Sequence, residues 1–300
     1  MTVETMRDAF IQVTDQTLSE RQDTALVLAD IGVSQFRNAG VLDRHPDRMF
    51  NVGIREQLQV GFAAGLAKEG FRPIVHTYTP FLIERPFEQI KLDFGHQGVN
   101  GVLVSVGASY DEASSGRTHQ TPEDVALIAT LPGWRIDVPG HAQEAESLLR
   151  DAYNSSESVY VRLSTESNAT GRSASEGRMV VERRGPEGAP VIVAVGPKLD
   201  PTLNAVSDMD VTVLYATTVR PFDHETLREF ASAEVVVVEP YLAGTSAAEV
   251  SEALNDRPHR VLNLGVKRQE LRNYGAPADH DKAHGLDASG LRASISKFLG

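Results

Sequence analysis

The chain has 300 residues, 41% of them hydrophobic, with 29 basic against 41 acidic side chains and a net charge of -12. That length supports about two domains of ~100–200 residues each. The acidic balance, with no Lys/Arg cluster longer than a pair, argues against nucleic acid or an anionic membrane surface as partner, and the lack of any cysteine excludes disulfides, thiolate nucleophiles, iron–sulfur clusters and zinc–thiolate sites.

The opening Thr2-Val-Glu-Thr-Met6 has neither the basic nor the apolar region of a signal peptide. No apolar run approaches the ~20 residues of a membrane span, so a soluble, cytoplasmic protein is expected. Five short apolar runs read as buried strands, at 25–29, 73–77, 101–106, 135–138 and 159–163. Helical patterns lie among them at 54–68, 81–94, 122–130 and 142–153. Thr121-Pro122-Glu123-Asp124 has the composition of a helix start, with Thr as N-cap, Pro first and acids in the first turn. Repeated strand–helix–strand order predicts a largely parallel sheet covered on both faces. Residues 165–188 are rich in Ser, Gly, Glu and Arg without an apolar period and read as a linker with one edge strand at 178–182. Alternation resumes with strands at 191–195, 211–215, 234–239 and 260–264, helices at 199–206, 224–230 and 245–254, and a closing amphipathic helix at 291–299. The prediction is an α/β chain of two three-layer domains with mainly parallel sheets, at 1–166 and 190–300, joined by a linker at 167–189. There is no sequence repeat or low-complexity tract.

The segment Asn51-Val-Gly-Ile-Arg-Glu-Gln57 runs straight into an apolar, small-residue helix. Glu56 therefore enters at the first turn of a helix that reads as buried. A buried glutamate is costly unless something accepts its proton or its hydrogen bond. A solvated carboxylate favoured by the helix dipole is the plain alternative. Tyr78-Thr-Pro-Phe81 and Phe87 follow, and such faces suit either a flat heteroaromatic or ordinary core. Gly116-Arg-Thr-His-Gln120 lies in the loop after the strand ending near 106, at the carboxyl ends of the sheet, where α/β folds place ligands. Histidine there suits proton transfer, since imidazole ionises near neutrality. Asp30-Ile-Gly-Val-Ser34 ends the first strand, where Asp30 also reads as a turn cap. His280 and His284 have metal-ligand spacing beside Asp279 and Asp281. With no third ligand in sequence, no metal site is assigned there.

These motifs resemble the transketolase family. Residues 51–57, followed by Phe62-Ala-Ala-Gly-Leu66, are similar to its glycine–isoleucine–x–glutamate–glutamine signature. The resemblance implies that Glu56 activates thiamine diphosphate through a pyrimidine ring nitrogen, a task that needs a dry pocket. It implies that Tyr78, Phe81 and Phe87 hold the pyrimidine and that Asp30 supports the pocket. Gly116–Gln120 is similar to the family's glycine–x–threonine–histidine–glutamine motif, which implies that His119 binds substrate oxygen and shuttles protons, with Ser34 also able to touch substrate. Ser115 stands four residues before His119, where sugar-using members carry an aspartate. Ser164-Thr165 stand where a phosphate-clamping arginine is expected. Arg162, two residues earlier, reads as structural, and Arg117 or Arg85 are the candidates to replace the clamp.

The family's glycine–aspartate–glycine motif, which holds the diphosphate and its metal, does not occur in the chain. The resemblance thus covers the pyrimidine-binding and C-terminal domains alone. It implies the second subunit of a split transketolase, inert by itself. A separate chain would supply the diphosphate site and its Mg2+ (or Ca2+), most simply in an α2β2 heterotetramer. The implied reaction is transfer of a two-carbon ketol or acyl unit to an aldehyde-type acceptor. A beta-type subunit of a 2-oxoacid dehydrogenase and a non-catalytic regulatory relative are the other readings. The C-terminal domain is expected to serve subunit contacts and to supply no ligand residue.

Overall fold

A computed structural model describes residues 5–173, 177–270 and 272–300. Its strands are β1 (Thr24–Leu28), β2 (Met49–Asn51), β3 (Arg72–Tyr78), β4 (Val102–Val106), β5 (Trp134–Asp137), β6 (Ser158–Arg162), β7 (Val180–Arg183), β8 (Val191–Val195), β9 (Thr212–Ala216), β10 (Thr218–Arg220), β11 (Glu234–Leu242) and β12 (Arg260–Val266). One sheet has seven strands in the order β10-β5-β6-β4-β3-β1-β2, and the other has five in the order β12-β11-β8-β9-β7. Every residue of β1, β4, β6, β8 and β9 is buried. That is why these segments read as unbroken apolar runs: parallel strands covered on both faces have no solvent side. The α/β class with mainly parallel sheets is therefore as the sequence predicts.

Among the described residues two strand pairings are antiparallel. The edge strand expected at 178–182 forms as β7 against β9. Strand β10 was not expected. It follows β9 directly yet pairs with β5 of the other sheet, Thr218 opposite Asp137, so the two sheets are stitched together by backbone. The Thr218 hydroxyl donates to Asp137 at 2.7 Å.

Other departures have local causes. The helix expected at 81–94 is three pieces, Pro80–Glu84 and Ile90–His96 in the wide π form with Phe87–Gln89 between them. Pro86 breaks the ladder because it has no N–H to give. The helix expected at 122–130 spans only Asp124–Ile128, and Thr121 does not cap it. Asp124 instead turns inward, accepting from Arg162 Nε at 2.7 Å and the Tyr160 hydroxyl at 2.6 Å. Arg162 is thus structural. The helix Met6–Glu20 escapes sequence periodicity because its buried face includes Thr14 and Thr17. It opens with a Thr5–Asp8 capping box, and Thr14 meets the Tyr153 hydroxyl at 2.9 Å.

The winding direction reverses between β1 and β3. Chain leaving β1 pairs next on one side as β2, then returns to the other side as β3. Such a switch point opens a crevice at the carboxyl ends of the strands. Asp30, Tyr78 and the loop after β4 all emerge there.

Candidate active site

Glu56 begins the helix Glu56–Lys68. Two features hold that start in place. Gln59, one turn on, donates its amide to the carbonyls of Val27 at 2.8 Å and His76 at 3.0 Å, tying the helix to β1 and β3 on both sides of the switch point. Upstream, the Asn51 side chain accepts from the N–H groups of Asp30 and Gly53 and donates to the Asp30 carboxylate at 2.9 Å. Asp30, whose φ is +61°, therefore acts on the site through Asn51 and the turn that delivers Glu56.

The Glu56 carboxylate is 2% exposed. Both of its oxygens accept from Arg85 Nη1 at 2.8 Å. The Arg85 guanidinium also lies over the Phe81 ring, 4.1 Å from its centroid. The Phe81 ring is 5.0 Å from that of His119, and the Tyr78 ring is 5.9 Å from His119 and 6.2 Å from Phe81. Glu56, Arg85, Phe81, His119 and Tyr78 thus form one continuous row of contacts along the crevice. Burial, then the Glu112 carboxylate, push the Tyr78 phenol above its usual value, with Arg7 opposing.

His119 sits in a short turn, Arg117–His119, after Gly116. Its Nδ1 lies 2.9 Å from the Thr118 hydroxyl, a contact made inside its own turn. Second-domain residues hold the loop. Arg117 reaches Glu270 at 3.2 Å, Gln120 donates to the Asn273 carbonyl at 3.1 Å and Ser109 to that of Pro240 at 2.6 Å. Tyr110 donates to Asp281, which also accepts from buried Lys198 at 2.7 Å. Lys198 completes the tie with Glu166 at 3.0 Å. His280 and His284 stack on the Tyr110 ring, at 5.0 and 5.9 Å between centroids, and Asp279 caps its own helix start. The sequence does not show that the second domain braces the His119 loop, because its contacts are one or two per segment and follow no period.

The remaining sequence candidates are placed as follows. Phe87 is half-buried in the short helix Phe87–Gln89, and no ring contact joins it to Phe81, Tyr78 or His119 among the described residues. Ser34 is exposed and bonded to Gln35 at 2.9 Å. Ser115 is exposed at the end of a 3-10 turn. Arg117 is engaged by Glu123, Glu270 and the Gln120 carbonyl, and Arg85 by Glu56. Sequence reasoning missed the Glu56–Arg85 pair. The 29-residue separation carries no pattern, although Arg85 is one π-helical turn beyond Phe81.

Residues 4–169 match the pyrimidine-binding domain of transketolase and residues 177–291 match the transketolase C-terminal domain. The chain belongs to the transketolase family. An uncharacterized 33.6 kDa protein in the fasciation locus of Rhodococcoides fascians is 50% identical over 92% of this chain and 88% of its own length. A 1-deoxy-D-xylulose-5-phosphate synthase from Albidiferax ferrireducens is 32% identical over 97% of this chain but only 48% of its own length. The chain spans about half the length of the synthases it matches. Among solved structures, a split-gene transketolase described as an inactive beta4 tetramer superposes with a TM-score of 0.85 and 26% identity, covering 99% of this chain and 98% of that one. Transketolase from Campylobacter jejuni shares the fold at 18% identity, with a TM-score of 0.78 over 46% of its length. Among the described residues no helix is long and apolar enough to cross a membrane.

Proposed function

We propose that this chain is one subunit of a thiamine diphosphate-dependent, transketolase-type transferase. It moves a two-carbon ketol or acyl unit to an aldehyde-type acceptor. In this reading its N-terminal domain, 1–166, binds the pyrimidine. A separate chain holds the diphosphate and its Mg2+ (or Ca2+), in an α2β2 assembly. The carrying observation is the row Glu56–Arg85–Phe81–His119–Tyr78. A dry carboxylate faces a flat N–H donor that is stacked on an aromatic ring. The Arg85 guanidinium supports the fit of an aminopyrimidine, because it is a flat nitrogen group over the Phe81 ring beside Glu56; unlike its N–H groups, a ring nitrogen would accept the Glu56 carboxyl proton.

When bound, the cofactor supplies a carbanion equivalent for carbon–carbon bond cleavage and formation. This chain's residues orient and move protons around it. Glu56 holds a hydrogen bond to a ring nitrogen, Phe81 and Tyr78 fix the plane of the ring, and Arg85 yields its place. His119 binds substrate oxygen and transfers its proton, a contribution of ~10²–10⁴-fold for a positioned acid–base group. Ser34, Ser115 and Arg117 border the substrate side, and Phe87 flanks the pyrimidine side. Glu56→Ala in the reconstituted two-chain enzyme is the test. Turnover should disappear while the assembly elutes unchanged in size. Near-normal turnover would remove Glu56 from the mechanism.

A further inference from the structure

A cavity of about 240 Å3 adjoins this row through Tyr78. Tyr78 lines it and also faces the His119 ring at 5.9 Å. Gly107, with φ +74°, lies so close beneath Tyr78 that a Cβ there would come within 2.8 Å of the ring. Met6, Val106 and Leu163 make the apolar walls. Among the described lining residues Arg7 and Glu112 carry the only charges, and neither has an ion-pair partner among the described residues. Both bear on the Tyr78 hydroxyl. The Ser164 hydroxyl, on the same cavity, is already committed to Asp111 at 3.0 Å.

That set of groups selects its ligand. A lone guanidinium pairs well with one carboxylate. A phosphate, with a charge of about -1.5 to -2, would be only half-compensated by Arg7 and repelled by Glu112 up to about twice as strongly as a carboxylate is. Glu112 accepts only, so it calls for a donor such as a hydroxyl. The volume is below the ~300–1,000 Å3 of drug-sized pockets, which limits the ligand to a few carbons. Arg85 and Arg117, the two sequence candidates for a phosphate clamp, are tied to Glu56 and to Glu123 and Glu270, and neither lines the cavity.

We propose that this cavity binds a compact monocarboxylate bearing a hydroxyl and an apolar side group. Its carboxylate rests on Arg7, its hydroxyl donates to Glu112, and its apolar group lies on Met6, Val106 and Leu163. That an acceptor carrying these groups together with an aldehyde-type carbonyl enters here rests on the transferase reading above, and the saturated hydroxy acid is its non-reacting mimic. The binding itself needs this chain alone.

Ligand-observed NMR titration of the full chain, without cofactor or partner, tests it. The probes are 2-hydroxy-3-methylbutanoate, 3-methylbutanoate and glycerol 3-phosphate. The hydroxy acid should bind best. Arg7→Gln should weaken both acids by about tenfold and Arg7→Lys by less. Glu112→Gln should retain binding but lose the preference for the hydroxy acid. Glycerol 3-phosphate binding as well as the hydroxy acid, indifference to Arg7→Gln in a protein folded by circular dichroism, or no acid binding at millimolar concentration would each overturn the assignment. The cofactor experiments use the assembled pair, so either idea can fail without the other.

Discussion

Arg85 donates through Nη1 to both carboxylate oxygens of Glu56 at 2.8 Å while lying 4.1 Å from the centroid of Phe81. The pair gives a dry carboxylate a partner within its own chain. Arg85→Ala leaves that carboxylate without one among the described residues. Orphaning a buried charge costs ~3–5 kcal/mol, and because Arg85 is 40% exposed solvent compensates part, so about 2 kcal/mol is expected. Urea unfolding of the chain alone measures it. Adding Glu56→Gln should recover most of the loss, and strictly additive losses would show the two residues are uncoupled.

His119 stands 5.0 Å from the Phe81 ring with its Nδ1 on Thr118. His119→Ala in the assembled enzyme should slow donor processing by ~10²-fold or more and leave cofactor affinity nearly unchanged. Single-turnover rates and a cofactor titration separate the two. Equal losses in both would make the histidine a packing residue.

Gly116 has φ +75°, and a Cβ on it would come within 2.6 Å of the Tyr274 ring. Gly116→Ala should therefore cost ~1–3 kcal/mol of local strain and displace the His119 turn from its brace on the second domain. The expected signature is a loss of turnover with a Tm only a few degrees lower. Unchanged turnover would mean that the brace is not needed for catalysis.

His76 lies fully buried beneath Gly32, with Nδ1 on the Val104 carbonyl at 2.8 Å. Burial lowers its pKa to about 3, so the folded chain keeps it neutral. The unfolded chain takes up the proton near pH 6.5. Stability is then lost as pH falls from about 6.5 toward 3, at up to about 1.4 kcal/mol per unit. His76→Gln should flatten that slope between pH 6.5 and 4.5 in urea titrations. A variant with the wild-type slope would assign the acid sensitivity to other groups.

Much of the fold is legible in the sequence because the strands are buried on both faces. β1, β4, β6, β8 and β9 show as plain apolar runs for that reason. Strand β10 is three residues long and gains its partner by leaving the sheet of β9, which no local pattern records. The candidate site is legible where neighbouring residues act together, as in 51–57 and 116–120. It is illegible where distant side chains meet. Glu56–Arg85, Tyr110–Asp281 and the Arg7–Glu112 cavity join residues with no common period. Asp124 shows the opposite error: its first-turn position is right for a helix dipole, yet Arg162 and Tyr160 draw it into the core.

The central claim is a cofactor shared between two chains, with Glu56 on this side. Calorimetric titration of thiamine diphosphate with its metal into this chain, into its partner and into the pair tests it most directly. The account predicts tight binding to the pair, much weaker binding to either chain alone, and a large loss in the Glu56→Gln pair. Binding to this chain alone as tight as to the pair would contradict it.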